Sequence, residues 1–272
     1  MIATTHQLTP QQLQEFEENG YTVVRGLLSA GEVDNLLTSV MSQVAAGPIP
    51  GFFEPKPSEE ARDNPLEQYP RIIHPHRINE LARHYLLDDR IEEIVTQLLD
   101  EEPLAAQSMF YFKPAGAKGQ ALHQDNFYLK VEPGTCFAAW IALDRADREN
   151  GGLEVVPGTH AMDIFCPEEA DRSTSFTRDY VPVPSGLEAV PVDLEPGDPL
   201  FFNGQLVHGS QPNTSKDRFR RSFICHYVGR SSERMSRWYD HILTMDGEAI
   251  KIADNESAGP CGTEWTSRGQ FH

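Results

Sequence analysis

The sequence predicts a mainly β protein, a sandwich or barrel of short strands, with helices packed ahead of it. Three observations predict this. From residue 104 onward, short β-rich runs follow one another, punctuated by Gly, Pro, Asn and Asp, which is the pattern of an all-β sandwich or barrel. The first 100 residues instead carry helix start signals followed by apolar residues at helical spacing. The length, 272 residues, suits one large β domain with added helices. Residues 1–272 are therefore read as a single domain: a helical portion over about 8–100, a β core over about 104–230, and an irregular C-terminal tail.

Each element has its own signal. Thr9-Pro10 offers an N-cap and a first-turn proline, and Gly20 a stop. Residues 21–24 read as a short strand. Ser29-Ala30-Gly31-Glu32 is a capping-box pattern ahead of Leu36, Leu37 and Val40. Residues 47–72 hold six prolines and read as a loop, with a lid as one option. Asp89 opens another helix, through Leu99. The expected strands are 109–112, 136–143, 153–156, 200–202 and 222–228, with a polar insertion at 162–187. No internal repeat is present.

Composition excludes several functions. With 41 acidic and 23 basic side chains, the net charge is −18. No basic face is expected, so neither nucleic acid nor an anionic membrane surface is an expected partner. No run approaches the roughly 18 apolar residues of a membrane span. The first residues show neither the charged nor the apolar part of a secretion signal, so a cytoplasmic location is expected. Cys136, Cys166, Cys225 and Cys261 form no CxxC pair. All four are read as free thiols, with Cys136 and Cys225 buried in strands.

One constellation carries chemistry. In Leu122-His123-Gln124-Asp125, residues i and i+2 of a strand share a face, so His123 and Asp125 can converge on one ion. His208 supplies a second imidazole. Two imidazoles and a carboxylate leave three positions open on a metal, the facial triad of non-haem Fe(II) oxygenases. Downstream, Arg220 shares a face with Ser222 and Ile224. A guanidinium binds a carboxylate through two parallel hydrogen bonds, and Ser210 can add a hydroxyl donor. Arg221 is the immediate rival on the opposite face. The plainer alternative makes both arginines part of a solvated edge strand.

With these residues in view, the sequence resembles the phytanoyl-CoA dioxygenase (PhyH) family of Fe(II)/2-oxoglutarate-dependent oxygenases. The resemblance spans roughly residues 10–230. It rests on Gly20-Tyr21-Thr22-Val23-Val24, the His123 motif, Ala139-Trp140-Ile141-Ala142-Leu143-Asp144, and the run from Asn150-Gly151-Gly152 to Pro157-Gly158-Thr159-His160. Gly197-Asp198, His208-Gly209-Ser210 and the arginine strand complete it. It implies a double-stranded β-helix, a cupin-like jelly roll, with the N-terminal helices packed on one sheet. It implies iron on His123, Asp125 and His208, and 2-oxoglutarate on Arg220 and Ser210, with Tyr111, Gln107 and Trp140 beside it. O2 is the co-reactant, and succinate and CO2 are released. Because Asp125 keeps its carboxylate, hydroxylation or another oxidation, rather than halogenation, is implied.

The substrate is less legible. Arg71 and His74 lie in a local basic cluster, 69–77, which suits an anionic small molecule; the plainer alternative is a solvated loop. Gln124 and Phe127 adjoin the metal motif and are candidates for the pocket. Phe110, Phe112, Phe127 and Trp140 are candidates for its apolar wall or for ordinary core. His160 is read as structural, and His226 as either core or cavity. A monomer or weak homo-oligomer is expected. Two rival classes are a cupin-like isomerase or hydrolase using another divalent metal, and a non-catalytic small-molecule binding jelly roll.

Overall fold

The computed structural model describes residues 6–61, 64–257 and Cys261. The helices begin where local side chains cap them. Helix α1 (Pro10–Asn19) has Thr9 as N-cap in a reciprocal capping box with Gln12, and α2 (Ala30–Ala45) has Ser29 paired likewise with Glu32. Asn79 caps α3 (Glu80–Leu86) and Asp88 caps α4 (Asp89–Leu99). Arg90 donates to both Glu32 and Asp88, tying α4 to α2. The buried faces of these helices, with Leu36, Val40, Leu86, Ile91 and Ile94, form one apolar cluster against a sheet.

That sheet has eight strands. They are β1 (Tyr21–Val23), β2 (Ile72–Ile73), β3 (Pro103–Tyr111), β5 (Cys136–Ala142), β8 (Pro199–Asn203), β10 (Ser222–Gly229), β11 (Ile242–Thr244) and β12 (Ala249–Ile250). Their order is β1-β8-β5-β10-β3-β11-β12, with β2 also paired to β3. The second sheet holds β4 (Gln120–His123), β6 (Leu153–Val155), β7 (Val190–Val192) and β9 (His208–Ser210), in the order β4-β9-β6-β7. Every pairing within these two sheets is antiparallel. Together they form the jelly roll of a double-stranded β-helix.

The large sheet is buried on both faces, so its strands read as near-continuous apolar runs. Alternation then sorts the side chains. Phe110, Ala139, Ile141, Phe201, Phe223 and Cys225 face the helices. Met109, Tyr111, Trp140, Phe202 and Ile224 face the interior between the sheets. Phe110 and Phe112 therefore belong to the helix-side core and form no pocket wall.

Several expectations are corrected. Residues 47–72 are not all loop: short helices occupy Ser58–Ala61 and Pro65–Gln68, and β2 pairs with β3. The tail is not irregular throughout, because β11 extends the large sheet by pairing with β3. The cysteines are not all free: Cys166 and Cys261, 95 residues apart, meet in a disulfide with a Cα–Cα distance of 5.3 Å. Cys136 and Cys225 are buried thiols. Among the described residues no helix is long and apolar enough to cross a membrane.

Candidate metal centre and cosubstrate pocket

The strand β4 ends at His123. Gln124 is still extended (φ −121°, ψ 126°), and Asp125 is the first residue of a five-residue helix, α5 (Asp125–Leu129). The expected single strand through Asp125 is thus wrong by one element. The parity of an extended chain nevertheless holds one residue past the ladder, and it brings Asp125 to the side of His123. His208 opens β9 directly opposite His123 in the ladder, and their rings lie 4.3 Å apart.

His123 Nε2 lies 3.5 Å and His208 Nε2 3.6 Å from Asp125 Oδ1. The three ligand atoms fall within 4.8 Å of one another, and all three residues are buried. The tautomers follow from the other ring nitrogens. His123 Nδ1 is 2.8 Å from the Ala121 carbonyl and His208 Nδ1 is 3.0 Å from that of Leu206. A carbonyl only accepts, so both Nδ1 atoms carry the proton and both Nε2 lone pairs turn to the centre. Burial lowers the His208 pKa to about 4, which keeps its imidazole neutral, the form that binds a metal. His226 Nε2 lies 3.0 Å from Asp125 Oδ2, on the side away from the histidine pair's shared oxygen. Two neutral imidazoles and one carboxylate, oriented by the groups behind them, fit Fe(II).

The centre lies at one part of a cavity between the two sheets. Arg220 lines another part, together with Ser210, Tyr111 and Trp140. Its guanidinium stands 5.1 Å from the Trp140 ring centre, Nε donates to the Gly151 carbonyl (3.1 Å), and Nη1 donates to Ser222 Oγ (2.9 Å). Burial lowers its pKa to about 10, so it stays charged near neutrality. Arg221 points the other way and grips Asp144 with two hydrogen bonds of 2.8 and 2.6 Å.

The remaining sequence candidates disperse. Arg71 donates to the Tyr111 hydroxyl at 2.8 Å and covers Phe176, so it adjoins the cavity through Tyr111. Gln107 does not line the cavity; it stands opposite His226 in the β3–β10 register. His74 is buried with a left-handed backbone (φ 55°), outside the lining. Gln124 is committed to the insertion, donating to the Gln205 carbonyl (2.8 Å) and accepting from the Phe165 N–H (2.7 Å). Phe127 meets Tyr128 edge-on along α5, with ring centres 5.1 Å apart, and does not line the cavity. His160 is structural: a Cβ on Gly20 would sit 2.4 Å from its ring. Sequence reasoning missed Met109, Gln120, Phe202 and Ile224 in the lining. Strand alternation marks Met109 with Tyr111 and Ile224 with Ser222, but only the fold shows which face is the inner one.

Fold and centre together define an Fe(II)/2-oxoglutarate-dependent oxygenase, which uses O2 as co-reactant. A profile of the phytanoyl-CoA dioxygenase (PhyH) family matches residues 16–222, and the chain belongs to that family. It is 27% identical over 240 residues to phytanoyl-CoA dioxygenase 1 of Oryza sativa subsp. japonica, covering 76% of this chain and 85% of the relative. It is 26% identical over 261 residues to methylphosphonate hydroxylase of Gimesia maris, covering 90% and 94%. Among solved structures, EctD from S. alaskensis with bound Fe shares the fold, with a TM-score of 0.68 at 20% identity over 94% of this chain and 90% of that one.

Proposed function

We propose that the protein hydroxylates an unactivated C–H bond of a small anionic metabolite. In this proposal His123, Asp125 and His208 hold the iron. Arg220 and Ser210 hold the distal carboxylate of 2-oxoglutarate, with Tyr111 and Trp140 as neighbouring walls. Iron, 2-oxoglutarate and O2 supply the oxidising chemistry, with release of succinate and CO2. The chain's own residues do the rest. Neutral imidazoles and one carboxylate present lone pairs to a cation, Arg220 presents donors to an anion, and the buried strands exclude water between them.

The observation that carries the proposal is this pairing across one cavity: a histidine–carboxylate centre and a buried guanidinium. Among the described residues the Arg220 guanidinium hydrogen-bonds and stacks only with neutral groups, the Gly151 carbonyl, Ser222 and the Trp140 ring. An isomerase or hydrolase that needs no 2-oxoglutarate gives that buried charge no task.

Arg71 supports an anionic substrate. Its guanidinium joins the cavity through Tyr111, in a chain whose net charge is −18. The methylphosphonate hydroxylase relative points the same way. We read the enzyme as acting on a free solute in the cytoplasm, as a monomer or weak homo-oligomer. Succinate release screened against short phosphonates, carboxylates and acyl-CoA thioesters tests this. The expected result is turnover with one anionic class. Arg71→Ala is expected to raise KM for that class about tenfold or more, the loss of one charged hydrogen bond. An unchanged KM contradicts the role of Arg71.

A further inference from the structure

Lys113 was not among the sequence candidates, yet it is the most unusual charged residue near the site. It is 2% exposed, and lysine is almost never fully buried unless paired. It sits just past the end of β3 with φ at 38°, a conformation few non-glycine residues adopt. It also precedes Pro114, which disfavours helical backbone at this position. The fold holds it there, because its carbonyl accepts from the Arg220 N–H (3.1 Å) and from Asn213 Nδ2 (3.0 Å).

That backbone sends the side chain inward. Nζ donates to Ser210 Oγ at 2.8 Å and to the Gly151 carbonyl at 2.9 Å. The same Gly151 carbonyl accepts from Arg220 Nε, so the ammonium and the guanidinium are neighbours. Gly151 makes room for this: a Cβ there would lie 2.8 Å from Lys113 Cε and Nζ. Among the described residues, the partners of these two cations are carbonyls, hydroxyls and a ring, with no carboxylate in hydrogen-bonding reach. Burial and the Arg220 charge push the Lys113 ammonium well below its usual pKa. An anion in the cavity favours the charged form again.

With an anion in the cavity Lys113 is an ammonium, which can only donate. Ser210 Oγ must therefore accept from it, and at 3.4 Å it also accepts the Gln120 N–H. With both lone pairs engaged, the hydroxyl proton is left to point into the cavity that Ser210 lines. We propose that Lys113 is a positioning residue for the distal carboxylate of the cosubstrate. It fixes Ser210 as a donor toward that carboxylate and sets a second positive charge behind Arg220. This rests on the assignment of Arg220 and Ser210 to that carboxylate.

The test is anaerobic titration of the Fe(II)-loaded protein with 2-oxoglutarate and with 2-oxopentanoate, the same keto acid lacking the distal carboxylate. Wild type is expected to prefer 2-oxoglutarate strongly. Lys113→Met is expected to lose about tenfold to a hundredfold of that preference, with its affinity for 2-oxopentanoate close to wild type. Lys113→Gln, which keeps a donor without the charge, is expected to fall between, and it carries the comparison if the methionine variant does not fold. A wild-type preference in these variants overturns the inference. So does equal weakening toward both keto acids, the signature of a merely structural role. Arg220→Met separates the two levels. If it loses the preference while the Lys113 variants keep it, only the lysine inference falls. If wild type shows no preference, the carboxylate assignment falls and the inference with it.

Discussion

The two ends of the cavity are built from opposite chemistry. At the metal end a strand terminus, the first residue of a short helix and a facing strand supply only lone pairs, from His123, His208 and Asp125. At the other end Arg220, Lys113 and Ser210 come from separate stretches of chain and meet around the Gly151 carbonyl, with donors to offer. One end suits a cation and the other an anion. In the proposed reading, a keto diacid is oriented by the sign of the local charge as well as by shape. The difference also separates two kinds of burial. At the metal end His208 is buried as a neutral imidazole, whereas the far end buries formal charge, which is costly unless something compensates it.

The largest expected effect comes from removing the carboxylate of the metal end. Asp125→Ala leaves two neutral imidazoles, and both Fe(II) binding and turnover are expected to vanish; iron content and succinate release check this. Normal turnover in that variant breaks the assignment. Next is the contrast between adjacent arginines. Arg220→Met is expected to weaken 2-oxoglutarate binding about tenfold to a hundredfold, the loss of charge-assisted hydrogen bonds in a buried site. Arg221→Met removes a partly exposed pair with Asp144, so it is expected to leave that affinity unchanged and to cost no more than about 1 kcal/mol of stability.

A separate effect, on stability rather than on binding, concerns histidines outside the centre. His74 and His76 are buried behind β3, where burial lowers their pKa values to about 4 and about 3. The unfolded chain protonates them near their ordinary 6.5, while the folded protein keeps them neutral. Their stabilising contribution is therefore full above pH 6.5 and is lost as pH falls from there toward 4. Each is expected to cost about 2 kcal/mol between pH 7 and pH 5. Denaturant midpoints at the two pH values for wild type and His76→Gln check this, and the variant is expected to lose less on acidification. An equal loss in both proteins contradicts a neutral His76.

What was legible in the sequence was local. The N-cap at Thr9 and the capping box at Ser29 lie within four residues of chain, and both form; at Thr9 the structure adds the reciprocal bond from Gln12. The metal-binding residue types stand out because two of them are two positions apart. The boundary was misplaced because Asp125 serves equally well in a strand pattern and in the first turn of a helix, where the dipole favours a carboxylate. Long-range pairing was not legible. The pairing of β11 with β3 and the Cys166–Cys261 bond join segments far apart in sequence. Alternation along β3 puts Phe110 and Tyr111 on opposite faces, but only the docked helices decide which of them faces the cavity, so from sequence alone Phe110 and Phe112 stand among the candidates for its wall. Lys113 was invisible for a different reason. A lysine beside a proline after a strand reads as an exposed turn, and only the fold turns it inward.

The central claim is that one cavity binds iron at one end and the keto acid across to Arg220. Anaerobic addition of Fe(II) and then 2-oxoglutarate to the apoprotein tests it, read by the weak visible charge-transfer band of the iron–keto acid chelate. The account predicts a band in wild type that saturates at one equivalent of iron, and no band in His208→Ala. Iron binding in wild type without the band, or an undiminished band in His208→Ala, would contradict it.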